Sequence, residues 1–374
     1  MDFSLNEVQE MLADSIDKFV DNEYAFDTRQ KYSASETGFS ADVWSMIAEL
    51  GWTAVPFSED DGGFEGDQRD IMVMMQRFGR GLVVEPFLAN IILAGGILKR
   101  AGNAEQKQQW LQPIIGGELH ASLAFTEPQA RYELANIATE ASASGDEWIL
   151  NGRKGFVPYG GTSDLIIVPA RTAGEQHDED GITLFAVPTD TAGVSLNAYP
   201  TVDGLRAAEL VLENVQVNAD GVLGEIGGGF AALDATIDDA TLAVCAEAVG
   251  IMHVLKDKTI EYSKSRSQFG VPIGSFQALQ HRMVDMLTVC EQAQSLLLWA
   301  AMTCAAGHGD AKRAVSSIKY MVGTSGQALG EEAVQLHGGM GVTWDLDVAH
   351  YFKRLTAIGQ LFGNADWHLD KLAA

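Results

Sequence analysis

The sequence predicts an α+β fold that is mostly α, laid out as a helical block, a β block and a second helical block. Three observations predict it. Apolar residues recur at helical spacing through positions 1–119, short β-rich runs between turn dipeptides fill 120–225, and the helical period returns over 226–374. This order excludes an alternating strand–helix layout, and no Gly-x-Gly-x-x-Gly follows a strand-like run.

Each block has its own signals. In the first, Val8, Met11, Leu12, Ile16 and Phe19 recur at helical spacing, and clusters such as Asp60-Asp61-Gly62-Gly63 separate the segments, which predicts an N-terminal helical domain. In the second, Glu147-Trp148-Ile149-Leu150, Leu165-Ile166-Ile167-Val168 and Ile182-Thr183-Leu184-Phe185-Ala186-Val187 read as strands. Gly145-Asp146, Asn151-Gly152 and Asp203-Gly204 punctuate them as turns, so the block is expected to be a middle antiparallel β domain. After Gly227-Gly228-Gly229, Leu242, Cys245, Val249 and Met252 fall at i, i+3, i+7 and i+10, and Leu279, Met283, Met286 and Cys290 at i, i+4, i+7 and i+11. Long helices packed as a C-terminal bundle are expected there.

Composition narrows the function. With 374 residues, 47% of them hydrophobic, the chain can bury a large core. A net charge of -26 repels phosphate backbones and anionic lipid surfaces, which argues against nucleic acid or membrane partners. An anionic ligand would need a local cationic spot against that field. Cys245, Cys290 and Cys304 lie in apolar, helix-like stretches without a Cys-x-x-Cys pair, and are expected to be buried thiols of a cytoplasmic protein, with no disulfide and no metal site. The stretch Met1-Asp2-Phe3-Ser4-Leu5-Asn6-Glu7 lacks a basic and apolar leader pattern, and no apolar run reaches about 18 residues. The chain is therefore expected to be neither secreted nor membrane-spanning.

Four motifs carry chemistry. Gly116 to Pro128 reads Gly-Gly-Glu-Leu-His-Ala-Ser-Leu-Ala-Phe-Thr-Glu-Pro; Gly152-Arg153-Lys154 follows a strand; Arg266-Ser267-Gln268-Phe269-Gly270 precedes Phe276-Gln277; and Gln335-Leu336-His337-Gly338-Gly339-Met340-Gly341 comes near the end. In this order and spacing the chain resembles the acyl-CoA dehydrogenase family over essentially its whole length. The resemblance implies that family's fold, with an N-terminal helical domain, a β-barrel-like middle and a C-terminal four-helix bundle that builds the oligomer. It also implies FAD, held with its isoalloxazine ring on one chain and its adenosine-pyrophosphate portion gripped by the next. Arg266, Phe269, Gln277, Gln335, Gly338 and Gly339 match the second grip: the Arg neutralises pyrophosphate, the aromatic packs near the cofactor, and a Gly-Gly turn lets backbone approach phosphate. Read singly, Arg266 is a surface cation, Phe269 core packing and Gly338-Gly339 a helix end.

The isoalloxazine side departs from the family pattern. Where the family loop runs Gly-x-Gly-Ser/Thr-Asp, this chain has Gln129-Ala130-Arg131-Tyr132-Glu133, and the family's Trp-x-Thr/Ser becomes Phe156-Val157-Pro158. Pro158 offers neither hydroxyl nor N–H. The family's catalytic base, a carboxylate that removes the α-proton of the thioester, falls at Phe362 in Leu361-Phe362-Gly363-Asn364. The alternative position used by a minority of members falls at Ala240, followed by Thr241 where an Arg is usual. Glu247, two helical turns beyond Ala240 and displaced by about 10 Å along the axis, is the remaining candidate base; the plainer reading is a buried carboxylate paired to a neighbouring helix. Asp238 and Asp239 read as charges near a helix N-terminus.

Retention of the adenosine side without the ring side is similar to one subunit type of the heterotetrameric α2β2 acyl-CoA dehydrogenases of steroid and sterol side-chain catabolism, and the run from His350-Tyr351-Phe352-Lys353-Arg354 to Gly363 strengthens that likeness. The resemblance implies α,β-desaturation of an acyl-CoA, a second acyl-CoA dehydrogenase-like subunit carrying the base, and an electron-transfer flavoprotein as electron acceptor. Two alternatives stay open: a homotetramer with a complete but atypical site using Glu247, and a flavin-free structural subunit.

Overall fold

The computed structural model describes residues 4–373; Met1, Asp2 and Phe3 of the N-terminal stretch, and Ala374, lie outside the described residues. Four helices come first, α1 (Glu7–Glu23), α2 (Phe26–Ala34), α3 (Ala41–Glu49) and α4 (Gln68–Gly81), followed by three short ones, α5 (Gly96–Ala101), α6 (Ala104–Gln106) and α7 (Gln112–Ile115). Strands β1 (Ala121–Leu123), β2 (Glu140–Ser144), β3 (Glu147–Pro158), β4 (Leu165–Arg171), β5 (Ile182–Pro188), β6 (Val194–Pro200), β7 (Arg206–Asn218) and β8 (Val222–Leu223) form one sheet. The chain then runs through α8 (Phe230–Ser265), the ribbon β9 (Ser267–Gln268) and β10 (Val271–Pro272), α9 (Gln277–Ala305), α10 (Ala311–Met321), α11 (Gln327–His337), α12 (Val348–Gln360) and α13 (Ala365–Ala373).

Two compact units share these elements. One holds Met1–Lys31, Asp67–Val83 and Thr241–Ala374; the other holds Tyr32–Gly66 and Val84–Ala240. The N-terminal helices are thus shared out, with α1 and α4 in the first unit and α3 and α5–α7 in the second.

In the sheet-bearing unit the strand order is β6-β7-β3-β2-β4-β5-β8, with β1 on β4. A two-residue loop joins β2 to β3, and Gly145 adopts φ +65° there, as the Gly-Asp pair anticipates. Every residue of β4 is buried, as its unbroken apolar run requires, and Val168, Phe185, Leu150 and Leu210 form the core of the sheet. Pairing is antiparallel except around β4, which β1 joins in parallel register (Ala121 opposite Leu165) and β2 touches in parallel at Glu140.

In the other unit, a capping box starts α1: the Asn6 side chain accepts from the Gln9 N–H at 2.9 Å, and the Gln9 side chain accepts from the Asn6 N–H at 3.2 Å. Its buried residues are Gln9, Ala13, Ile16, Phe19 and Val20, so Ile16 and Phe19 face the core as expected while Val8 and Met11 face outward. Helix α8 buries Leu242, Cys245, Val249 and Met252 as its period predicts. It crosses α4 at backbone contact: a Cβ added to Gly79 would lie 2.2 Å from the Glu247 carbonyl oxygen, and one added to Gly250 would lie 2.1 Å from that of Gln76.

Two sequence expectations change. Helix α8 begins at Phe230, so Asp238 and Asp239 lie more than two turns inside it rather than near its N-terminus, and Asp239 pairs with Arg100. The three cysteines are free, but Cys304 is only half-buried. No described helix is long and apolar enough to cross a membrane.

Candidate functional site

The six residues matched to the adenosine side lie in the helical unit, three of them between the end of α8 and the start of α9 and three at the end of α11. Helix α8 carries its hydrogen-bonding to Arg266, whose N–H donates to the Tyr262 carbonyl at 2.8 Å, and the Arg266 carbonyl accepts from Ile273 N–H at 2.8 Å. The ribbon between them pairs Gln268 with Val271. That two-residue connection puts Phe269 and Gly270 in the turn at φ +55° and +83°, the twist that suits a tight hairpin. Phe269 is 93% exposed, so core packing is not its role, and its ring stands edge-on to that of Phe276, at 6.2 Å. Gln277 opens α9 and is exposed. Arg266 is exposed too, and among the described residues its guanidinium has no hydrogen-bond or ion-pair partner.

The other half of the grip ends α11. Gln335, Gly338 and Gly339 are exposed. Gly338 adopts φ 62° and ψ -143°, a backbone region essentially closed to side-chain-bearing residues, while a Cβ at Gly338 or Gly339 would meet nothing within 4 Å. The backbone there is therefore open to an approaching group. Helix α11 is tied to its neighbours by the Arg282–Glu332 ion pair, with Nη2 to Oε2 at 2.6 Å, and by the Tyr262–His337 stack, with ring centroids 4.4 Å apart. The structure thus brings Arg266 and the Gly338–Gly339 turn to the same end of the bundle.

On the sheet side, two motifs that lie apart in sequence meet as one buried ion pair. Lys154 Nζ donates to Glu127 Oε1 at 2.6 Å and to the Pro169 carbonyl at 2.7 Å. Glu127 also accepts from the N–H groups of Ala138 (2.8 Å) and Thr139 (3.1 Å) and from the Gln129 amide (2.7 Å). Burial raises the Glu127 pKa, but the Lys154 charge and these donors outweigh it and hold the carboxyl at about 2. Arg171 fastens the following segment, donating to the carbonyls of Ala135, Gln176, Asp178 and Asp180 at 2.7–2.9 Å. Residues 129–133 thus lie between Gln129, anchored on Glu127, and the Arg171-bound segment that begins at Ala135. Arg131 sits there at φ +51° beside the Tyr132 ring. The Pro158 carbonyl takes the Ser122 hydroxyl.

Both base positions are apolar or occupied. Phe362 is buried at φ +56°, and the turn it belongs to is fixed by the buried Lys319, whose Nζ donates to the Gly363 carbonyl at 2.5 Å and that of Gly359 at 3.3 Å. Burial depresses the Lys319 pKa to about 8, with Cys245 acting in the opposite sense. Ala240 and Thr241 are buried. Glu247 is buried and bidentate with Arg354 of α12, Nε to Oε1 at 2.6 Å and Nη2 to Oε2 at 2.7 Å. To take up a proton it would have to release a guanidinium that is itself buried.

Matches to the N-terminal, middle and C-terminal domains of acyl-CoA dehydrogenase cover residues 6–118, 122–215 and 227–374. Over 367 residues the chain is 30% identical to the "Probable acyl-CoA dehydrogenase YngJ" of Bacillus subtilis (strain 168), covering 96% of each. It belongs to the acyl-CoA dehydrogenase family. Over 320 residues it is 30% identical to the "Caffeyl-CoA reductase-Etf complex subunit CarC" of Acetobacterium woodii, covering 84% of each. Its fold is similar to the ChsE4–ChsE5 complex from Mycobacterium tuberculosis (25% identity, TM-score 0.90, covering 100% of this chain and 98% of that one). It is likewise similar to the FAD complex of PigA (26% identity, TM-score 0.92, covering 100% and 98%).

As a member of the acyl-CoA dehydrogenase family the chain fits FAD unevenly. The open backbone at Gly338–Gly339 and the uncommitted Arg266 suit a pyrophosphate. The ring-side loop does not suit a flavin in the family's usual way: Arg131 and Tyr132 occupy the small and hydroxyl positions, and Pro158 supplies no donor. The Glu127–Lys154 pair is not foreseen from the sequence: Lys154 sits in a strand that is mostly only half-buried, and its partner lies 27 positions away. Lys319 is not foreseen either.

Proposed function

We propose that this chain is one subunit type of a hetero-oligomeric, FAD-dependent acyl-CoA dehydrogenase that desaturates an acyl-CoA thioester between its α and β carbons. On this reading the chain supplies the adenosine-pyrophosphate half of a site shared with a second acyl-CoA dehydrogenase-like subunit. Bound FAD supplies the acceptor for the hydride that leaves the β-carbon. Arg266 offsets pyrophosphate charge, the Gly338–Gly339 backbone approaches the phosphates, and Phe269, Gln277 and Gln335 line the approach. The carboxylate that removes the α-proton belongs to the partner.

The observation that carries this reading is the asymmetry of the site. Its adenosine-side residues are exposed together at one end of the bundle, while the ring-side loop is filled and Phe362 stands at the base position. Similarity to a ChsE4–ChsE5 complex supports a paired subunit, and similarity to a subunit of a reductase–Etf complex supports an electron-transfer flavoprotein as acceptor. A cytoplasmic location is consistent with such an assembly. The homotetrameric alternative needs Glu247 as base, and the bidentate Arg354 pair disfavours it.

The test is flavin content per chain together with mass in solution, for the chain purified alone and with co-purifying partners. A colourless chain that takes up about half an equivalent of FAD per subunit only in a mixed oligomer supports the proposal; that ratio follows from one FAD shared by two unlike chains. One FAD per chain in a homotetramer overturns it, and no FAD in any oligomer favours a structural subunit.

A further inference from the structure

The two halves of the adenosine-side grip come from different helices, so their spacing needs a cause. Arg266 lies one turn beyond Tyr262 on α8, joined to it by the 2.8 Å hydrogen bond that continues the helix. The Gly338–Gly339 turn follows His337, the last residue of α11. Tyr262 and His337 stack face to face, with centroids 4.4 Å apart and ring planes 28° from parallel. His337 is buried, and its Nδ1 lies 2.8 Å from the Ala333 carbonyl, which orients the imidazole against its own helix. On the same stretch of α8, Lys258 pairs with Asp347 at 2.8 Å, just ahead of α12. A cation and a backbone turn can share one pyrophosphate only at a fixed separation, because each contact is worth having only at hydrogen-bond distance.

We propose that Tyr262 and His337 are positioning residues, and that their stack sets the separation between Arg266 and the Gly338–Gly339 turn and thereby the affinity for the adenosine-pyrophosphate portion of FAD. This rests on the adenosine-side reading above. Neither ring is assigned a contact with the isoalloxazine or with substrate, so their effect is confined to ligands that carry the adenosine half.

FMN, which has the ring but lacks the adenylate, isolates that effect. Dissociation constants for FAD and FMN are measured by flavin fluorescence on the FAD-binding oligomer isolated with this chain, stripped of flavin, alongside thermal unfolding. Tyr262→Leu is expected to weaken FAD about three- to tenfold, the range an aromatic pair supports, with FMN affinity unchanged. Tyr262→Phe, which keeps the stacked face, restores FAD binding, and His337→Phe binds FAD like the wild type while His337→Leu does not. The histidine pair keeps the test intact if Tyr262→Leu fails to fold.

Equal loss of FAD and FMN would mean general damage and overturn the proposal. So would unchanged FAD affinity in both leucine variants when Arg266→Ala weakens it, an outcome that leaves the adenosine-side reading standing. If Arg266→Ala itself has no effect, or no oligomer containing the chain binds FAD, that reading falls and the positioning role falls with it.

Discussion

Glu127 and Lys154 place two full charges where neither is solvated, and each is tolerable only because of the other. Glu127→Gln should therefore lower the unfolding free energy by about 3–5 kcal/mol, the cost of an uncompensated buried charge, read from denaturant titration at neutral pH. The acid dependence has a definite sign. The folded carboxyl titrates at about 2 against an ordinary value of 4.5, so its contribution is complete above 4.5 and is lost as pH falls from 4.5 through 2. The difference between wild type and Glu127→Gln should shrink across that window. Glu247 makes the opposite functional statement with similar chemistry: Glu247→Gln should cost stability of the same order, about 3–5 kcal/mol, yet leave turnover per bound FAD intact in the assembled enzyme. Total loss of turnover at normal FAD content would return Glu247 to the role of base. Both carboxylates were visible in the sequence, but their partners were not. Lys154 lies 27 positions from Glu127 and Arg354 lies 107 from Glu247, and only sheet register and helix packing bring them together.

Among the elements, the crossing of α4 and α8 leaves no room for a side chain at its glycines. Gly79 and Gly250 each leave room for the other helix's carbonyl, so a single methyl group at either has nowhere to go. Gly250→Ala should lower the unfolding free energy by about 1–3 kcal/mol, overpacking outweighing the helix propensity gained, and a raised melting temperature would show that the crossing relaxes freely. Helical periods, the turn at Gly145 and the unbroken run of β4 were legible because each is a local preference that packing reinforces. The parallel placement of β1 beside β4 was not, since Ala121–Leu123 is too short to carry a pattern and its pairing is chosen 44 positions away. The start of α8 lies earlier than the acidic pair suggests: after Gly227-Gly228-Gly229, Phe230, Leu233, Ile237 and Ala240 already follow the helical period, which places Asp238 and Asp239 inside the helix.

For the molecule as a whole, the fold was legible because its signals are many and ordered, whereas the completeness of a site that the proposed reading shares between chains is not a property any one chain encodes. Phe269 makes that division physical. A phenylalanine at φ +55° carries roughly 1–2 kcal/mol of local strain, and at 93% exposure its ring recovers little of that by burial in the isolated chain. Phe269→Gly should thus leave the lone chain as stable as before, or more stable by up to about 1 kcal/mol, while weakening its assembly with a partner, as measured by thermal unfolding and by sedimentation of the mixed complex. A destabilised lone chain would contradict this. On the proposed reading the consequence reaches beyond one residue: a side chain as exposed as Phe269 can be exchanged at little cost to the chain's own folding, so partner choice can drift between relatives faster than the fold that displays it.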